Sequence, residues 1–325
     1  MKVFLTVLFL PITLVSQTTV LFDNTSLPIK DKIITCVKTD KKGNNWIGTL
    51  NGLFCYNGVN WKKITIKNSK LPSNTILCIE IKEDKKYIGT TQGLLIIDKV
   101  WKVYDKYNSA LPSNKIRSIK AFSEDIVWIA TSQGLVKYKQ KFQEVLSTKN
   151  NGIKDDDFLS LNIDNENVVW AGTNKGLYSY KDKIWRVYTT KNSQIPDNYV
   201  WQIAVDSENQ KWIGTKNGIG VLAENKWKVF NKKNTPISKN RIKTITNDDY
   251  DRVWVATERE VISYDGKKWK KHKTHDKKEK INNFYIDFFD NKWICLYDKT
   301  VIYNLEGVEF ANNIKEDLIE VAYKK

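Results

Sequence analysis

One position in this chain of 325 residues changes its chemistry from copy to copy of a recurring unit while its neighbours stay apolar. It is occupied by Thr35, Leu77, Arg117, Leu159, Trp201, Lys243 and Asn282. Trp201 follows Pro196-Asp197-Asn198-Tyr199, and an aromatic pair of this kind offers flat apolar faces on which a sugar ring can stack. Arg117, Lys243 and the nearby Arg241 supply cations that suit an acidic group on the same ligand. The competing reading is packing between repeats for Trp201 and solvated charge for the cations.

Two other stretches carry titratable chemistry. Lys267 to Lys280, "KKWKKHKTHDKKEK", holds both histidines, His272 and His275, and reads as an anion-binding or pH-responsive strip or simply as a solvated lysine-rich loop. Two histidines with Asp276 beside them fall short of a metal donor set. Asp155-Asp156-Asp157 is the one acidic cluster, a turn-forming, solvated run or a calcium or catalytic site. No carboxylate pair stands out and no nucleophile sits beside a base, so the expectation is no catalytic residue, no metal and no cofactor.

The elements that hold these residues repeat. Trp46-Ile47-Gly48-Thr49, Tyr87-Ile88-Gly89-Thr90, Trp128-Ile129-Ala130-Thr131, Trp170-Ala171-Gly172-Thr173, Trp212-Ile213-Gly214-Thr215, Trp254-Val255-Ala256-Thr257 and Trp293-Ile294-Cys295-Leu296 start 41, 41, 42, 42, 42 and 39 residues apart. Around each anchor lie four short segments rich in branched and aromatic residues and bounded by Gly, Asn or Asp, the mark of strands. Asn57-Gly58 and Asp265-Gly266 favour two-residue hairpins between the third and fourth. A fixed period of this length that fills the chain is a radial array, and seven four-stranded units close into an all-β, seven-bladed β-propeller of antiparallel blades.

Six of the 12 tryptophans occupy the anchor and five (Trp61, Trp101, Trp185, Trp227, Trp269) fall 14 or 15 residues later. These two columns are core. The third anchor-segment position is always small, as required where neighbouring blades press together. The glycines six residues after the anchor, Gly52, Gly93, Gly134, Gly176 and Gly218, shape the next turn; Glu260 and Lys299 replace them, so the last two turns should be less regular. Thr19 to Ile33 matches Lys102 to Ile116, which makes the N-terminal segment the expected closing strand, with Val308 to Phe310 its competitor.

The unit W-I-G-T-x-x-G-L-x-x-Y-x-G-x-x-W, standing here as Trp46 to Trp61 and followed by Asn68-Ser69-Lys70-Leu71-Pro72-Ser73-Asn74, resembles the two-component regulator propeller repeat. Copies at Asn108 to Asn114 and Asn192 to Asn198 extend the likeness over nearly all of residues 18 to 310. In that family such propellers commonly form the exported sensor part of membrane histidine kinases and recognise oligosaccharides, and standalone secreted members exist. The chain shows no second propeller, β-sandwich or kinase. The resemblance therefore implies a fold and a binding role rather than signalling by this chain.

Length and charge complete the reading. Met1 to Ser16 combines an early lysine with an apolar run of Val3 to Val15, a secretory signal too short to span a bilayer comfortably, so residues 17 to 310 form the expected exported propeller and 311 to 325 a tail. The formal charge is +16, with only 5 arginines among 53 basic residues. In an exported chain that charge points to an acidic polysaccharide or anionic cell surface, not to nucleic acid. An envelope protein is the alternative partner. Cys36, Cys55, Cys78 and Cys295 lack zinc-site spacing and read as buried thiols, Cys36 and Cys78 being the one pair placed to be tested for a disulfide.

Overall fold

The computed structural model describes residues 19–22 and 33–310, apart from 124, 150–152, 154, 277 and 298. The expected signal segment, residues 1 to 16, and the tail beyond 310 lie outside the described residues.

Strand formation follows the burial pattern. Each anchor segment is a second strand with apolar or small residues on both faces, and Asn45–Thr49, Val127–Thr131, Lys211–Thr215, Val253–Thr257 and Lys292–Leu296 are buried at every position. Among the described residues the chain makes seven four-stranded antiparallel sheets, six of them consecutive meanders. We number these blades 1 to 7 by the position of their first strand, from Ile34–Thr39 to Ile281–Ile286. The first strands touch one another in a closed circuit, blade 7 returning to blade 1, and so surround the central axis.

Thr19–Phe22 closes the ring as the outer strand of blade 7, antiparallel to Thr300–Tyr303. Val308 and Phe310 instead pack into the seam between blades 7 and 1, where the Phe310 ring meets Tyr56 at 5.3 Å and Trp293 at 6.2 Å. One terminus completes the sheet while the other seals its face.

The small third position is explained by the seams. A Cβ on Gly48 would lie 2.5 Å from Cys36 Sγ and 2.7 Å from Ile76 of the next blade. The four cysteines are free; Cys36, Cys55 and Cys295 are buried and Cys78 is half-buried. Burial pushes the thiols of Cys36, Cys55 and Cys295 up to about 12. Thiols held this far from thiolate are poor nucleophiles.

A second repeating device is carried by aspartate. Six residues before the anchor, Asp40, Asp164, Asp206, Asp248 and Asp287 each accept a hydrogen bond from the anchor indole, at 2.9, 2.8, 2.7, 2.7 and 2.8 Å. The other carboxylate oxygen takes backbone amides of the turn, such as Gln210 N at 2.7 Å on Asp206. One side chain thus ties the turn between the first two strands to the core. Asp206→Asn is expected to cost about 1 to 2 kcal/mol in urea unfolding, because the new NH2 must either face the buried indole N–H or flip and leave the turn amide unpaired.

Lysine one residue before the anchor adds a clamp across seams. Lys86, Lys211 and Lys292 lie 5.4, 5.5 and 5.1 Å from the ring centres of Trp46, Trp170 and Trp254 of the preceding blade. Part of the basic excess is therefore structural, each ammonium resting on an aromatic face.

Candidate functional site

The antiparallel order puts the start of every first strand, the turns between second and third strands and the loops joining blades on one face, the mouth. The joining loops satisfy themselves there. Asn68 Oδ1 accepts Thr65 N at 2.7 Å, and Asn74, Asn114, Asn198 and Asn240 each accept an amide eight residues back, at 2.8 to 3.0 Å. Leu71, Leu111, Ile195 and Ile237 peg the loops into the core. The recurring asparagines, serines and prolines are scaffolding.

The turn threonines are scaffolding too. Thr49, Thr90, Thr131 and Thr215 donate at 2.8 Å to the carbonyl of the turn glycine, whose positive φ suits that conformation. In blade 6 the departure from glycine changes the turn as expected: the Glu260 carboxylate itself accepts from Thr257 Oγ1 at 2.8 Å.

What remains at the mouth is the variable position, and its geometry explains its variability. Thr35, Leu77, Arg117, Trp201, Lys243 and Asn282 each sit where the pairing of first and second strand shifts register. A bulged residue opposes no ladder partner and its side chain is re-aimed. In blade 4, Leu159 immediately precedes the strand Ser160–Ile163. Six of the seven blades thus place the variable side chain on a bulge, outside the regular strand pairing.

Trp201 is 37% exposed, and its ring stacks on Tyr199 at 5.6 Å with 21° between planes. Lys243 holds the equivalent bulge in the adjoining blade, with exposed Arg241 two residues before it. Burial lowers the Lys243 pKa below the ordinary lysine value, and Arg241 and Lys280 push the same way against Glu258. Three cations therefore share this sector, one of them, Lys280, paired with Glu258 at 3.2 Å. The structure so brings Tyr199, Trp201, Arg241 and Lys243 to adjoining blades.

Arg117 stands apart. Two blades from Trp201, its guanidinium meets both carboxylate oxygens of Asp157, at 2.8 and 2.9 Å. An acidic ligand there would compete with Asp157, so Arg117, expected from the sequence to receive an acidic group, already holds one from its own chain. Asp156 accepts from Thr148 Oγ1 at 2.8 Å, and Lys175 Nζ stands 3.9 Å from Asp155. No group of three His, Cys, Asp or Glu side chains suited to a metal ion occurs among the described residues.

The histidine strip divides. His272 stacks on the Trp254 ring at 4.3 Å, and its Nε2 shares a 2.8 Å hydrogen bond with Ser263 Oγ. Burial, then Lys270, Arg252 and Lys292, lowers its pKa to about 4. A depressed histidine stabilises the folded state fully above the unfolded value near 6.5, and that contribution is lost as pH falls toward 4. Thermal unfolding followed between pH 7 and pH 4 is expected to show a fall in midpoint that His272→Gln makes shallower. His275 joins the mouth loops, its Nδ1 3.0 Å from Thr274 Oγ1.

No family model matches the chain, and no curated protein does. Solved structures do. The extracellular domain of BT3049 from B. thetaiotaomicron, described as a hybrid two component system, superposes with TM-score 0.70 at 18% identity, over 85% of this chain and 41% of that one. This chain shares its propeller fold. It spans about 40% of that domain and of the extracellular domain of BT4673 from the same organism. The repeat likeness to two-component regulator propellers and the architecture agree. A catalytically inactive histidine-to-alanine form of virginiamycin B lyase from Staphylococcus aureus, with quinupristin, superposes with TM-score 0.71 at 13% identity, over 88% of this chain and 99% of that one. YCF48 bound to D1 peptide gives 0.66 at 14%, over 91% and 99%. Sensors, an enzyme and a peptide binder thus carry the same ring.

Proposed function

We propose that this chain is an exported, non-catalytic binding propeller that takes an oligosaccharide at its mouth, between Trp201 and Lys243. The carrying observation is the exposed Trp201 ring, stacked on Tyr199 and set on a bulge beside a cationic sector. An aromatic face stacks on the apolar side of a sugar, and Arg241 and Lys243 receive a carboxylate or sulfate, so acidic glycans are favoured over neutral ones. The extracellular setting of the BT3049 and BT4673 domains supports export. In the described residues no helix is long and apolar enough to cross a membrane.

The lyase likeness raises the enzymatic alternative. Two of its candidate groups are engaged elsewhere, Asp157 by Arg117 and His272 by Trp254 and Ser263; His275, with Glu279 and Asp276 close to it at the mouth, is the histidine that such a reaction would use. The YCF48 likeness favours a second reading, in which the same face holds a peptide or an envelope protein.

Calorimetric titration of the chain with matched neutral and acidic oligosaccharides distinguishes them. Saturable binding is expected, tighter for the acidic member, with the preference abolished in Arg241→Gln/Lys243→Gln. No binding across the panel would refute the oligosaccharide reading and leave the peptide one.

A further inference from the structure

Between blades 4 and 5, on the face opposite the mouth, lies a cleft of about 940 Å3. Its walls are the turns around Asp164 and Glu208 and the hairpins around Asp182 and Glu224. The repeat explains why it is open. Ten residues after the anchor the chain has tyrosine in five blades (Tyr56, Tyr138, Tyr180, Tyr264, Tyr303) but Ile97 in blade 2 and Leu222 in blade 5. In blades 4 and 6 the phenol lies against the preceding blade's anchor, Tyr180 5.7 Å from Trp128 and Tyr264 5.8 Å from Trp212. Leu222 lacks that ring, and space is left beside Trp170.

The floor is built and polar. Asp164, 4% exposed, binds the Trp170 indole at 2.8 Å and Lys211 Nζ at 3.1 Å. Burial raises its pKa, yet the Trp170 indole, the Val168 amide and Lys211 outweigh that and hold it below the ordinary value. Ser179, 5% exposed, lines the cleft, and its hydroxyl has no hydrogen-bond partner among the described residues. The equivalent Ser263 of blade 6 is satisfied by His272 Nε2. The Ser179 side chain is otherwise enclosed, and its hydroxyl opens onto the cleft, where it can accept from or donate to a ligand group.

The rim is anionic on a chain of charge +16. Glu166, Asp182, Glu208 and Glu224 line it, and none of the four is in an ion pair among the described residues. With Asp164 they set five carboxylates against Lys181, Arg186 and Lys211, and Lys211 is already held by Asp164 and the Asn209 carbonyl. Ile184, Leu222 and the Trp170 edge give the walls an apolar component.

We propose that this cleft binds a small polyamine, an aliphatic chain with several ammonium groups. The ammonium groups meet the rim carboxylates, the methylenes lie along Leu222 and Trp170, and one N–H donates to Ser179. A metal ion fits less well, because no donor group of the needed size is gathered there. The site is separate from the mouth and does not depend on the oligosaccharide reading.

The test is calorimetric titration of the full chain with spermidine at moderate salt. Saturable one-to-one binding is expected, weakening as salt rises. Leu222→Tyr, which installs the residue five other blades carry, should fold normally and lower affinity by about tenfold or more, the ratio expected when some 1.4 kcal/mol of contact is lost. Glu208→Gln/Glu224→Gln should lose a similar factor, Ser179→Ala a smaller one, and Trp201→Ala none. Should Leu222→Tyr fail to fold, the glutamine pair decides. Absence of saturable binding to millimolar spermidine, or binding that both the tyrosine and glutamine variants leave unchanged, overturns the proposal.

Discussion

Gly172→Val is expected to destabilise the chain by about 3 kcal/mol, lowering the thermal midpoint by roughly 6 °C or more. A Cβ at this position would stand 2.5 Å from Ser160 Oγ in its own blade, 2.6 Å from Val200 Cγ1 and 2.8 Å from Val200 O in the next. The serine hydroxyl can rotate away. The Val200 carbonyl cannot, because it belongs to the first strand of blade 5, whose Val200 N is bound to Thr173 O at 2.8 Å. Relief requires the two blades to separate, and separation opens the seam occupied by Leu177, Ile195 and Ile213. Valine carries two further methyl groups into that seam. Gly172→Ala should fall between the variant and the parent, and the ordering of the three midpoints by differential scanning calorimetry checks the account.

The second large effect concerns binding. Trp201→Ala is expected to weaken the acidic oligosaccharide by roughly 10- to 100-fold, the scale of a truncated aromatic anchor. Stability should change little, because Trp201 is 37% exposed and bulged out of the strand pairing. Tyr199 keeps its amide bond to Asp197 Oδ1 at 2.7 Å and leaves part of the platform in place. Trp212→Ala offers the contrast: that ring is buried, bound to Asp206 and stacked on Phe230 at 5.8 Å, so its loss should unfold the chain rather than spare it. The anchor tryptophans are buried and the fourth-strand tryptophans half-buried against the core, and Trp201 belongs to neither column.

Much of the fold was legible because packing in a propeller is periodic. The anchors, the small third position and the turn glycines each answer a demand that recurs at every seam, and the ring follows from their spacing. The anchoring aspartates obey the same spacing, six residues before Trp46, Trp170, Trp212, Trp254 and Trp293, and were hidden only because aspartate before a hairpin already has a sufficient explanation as a turn residue. The clamping lysines were hidden likewise by the general lysine excess. Other features are not periodic at all. The Arg117 pair with Asp157 spans 40 residues and arises once. The cleft at Leu222 comes from leucine standing where five blades carry tyrosine, a change that keeps the strand pattern and replaces the reach of a phenol with a shorter branched chain. The variable mouth position was visible as a break in the pattern, whereas the bulge that causes it needed the register of the pairing.

The central claim, that the mouth beside Trp201 receives the ligand, is tested most directly by the indole N–H resonances of isotopically labelled protein, with Trp201 assigned through Trp201→Phe. On titration with an acidic oligosaccharide the account predicts a saturable shift of the Trp201 resonance while those of the buried anchors Trp46, Trp212, Trp254 and Trp293 hold still. A bound ligand that leaves Trp201 unmoved, or that shifts Trp170 on the opposite face instead, would contradict it.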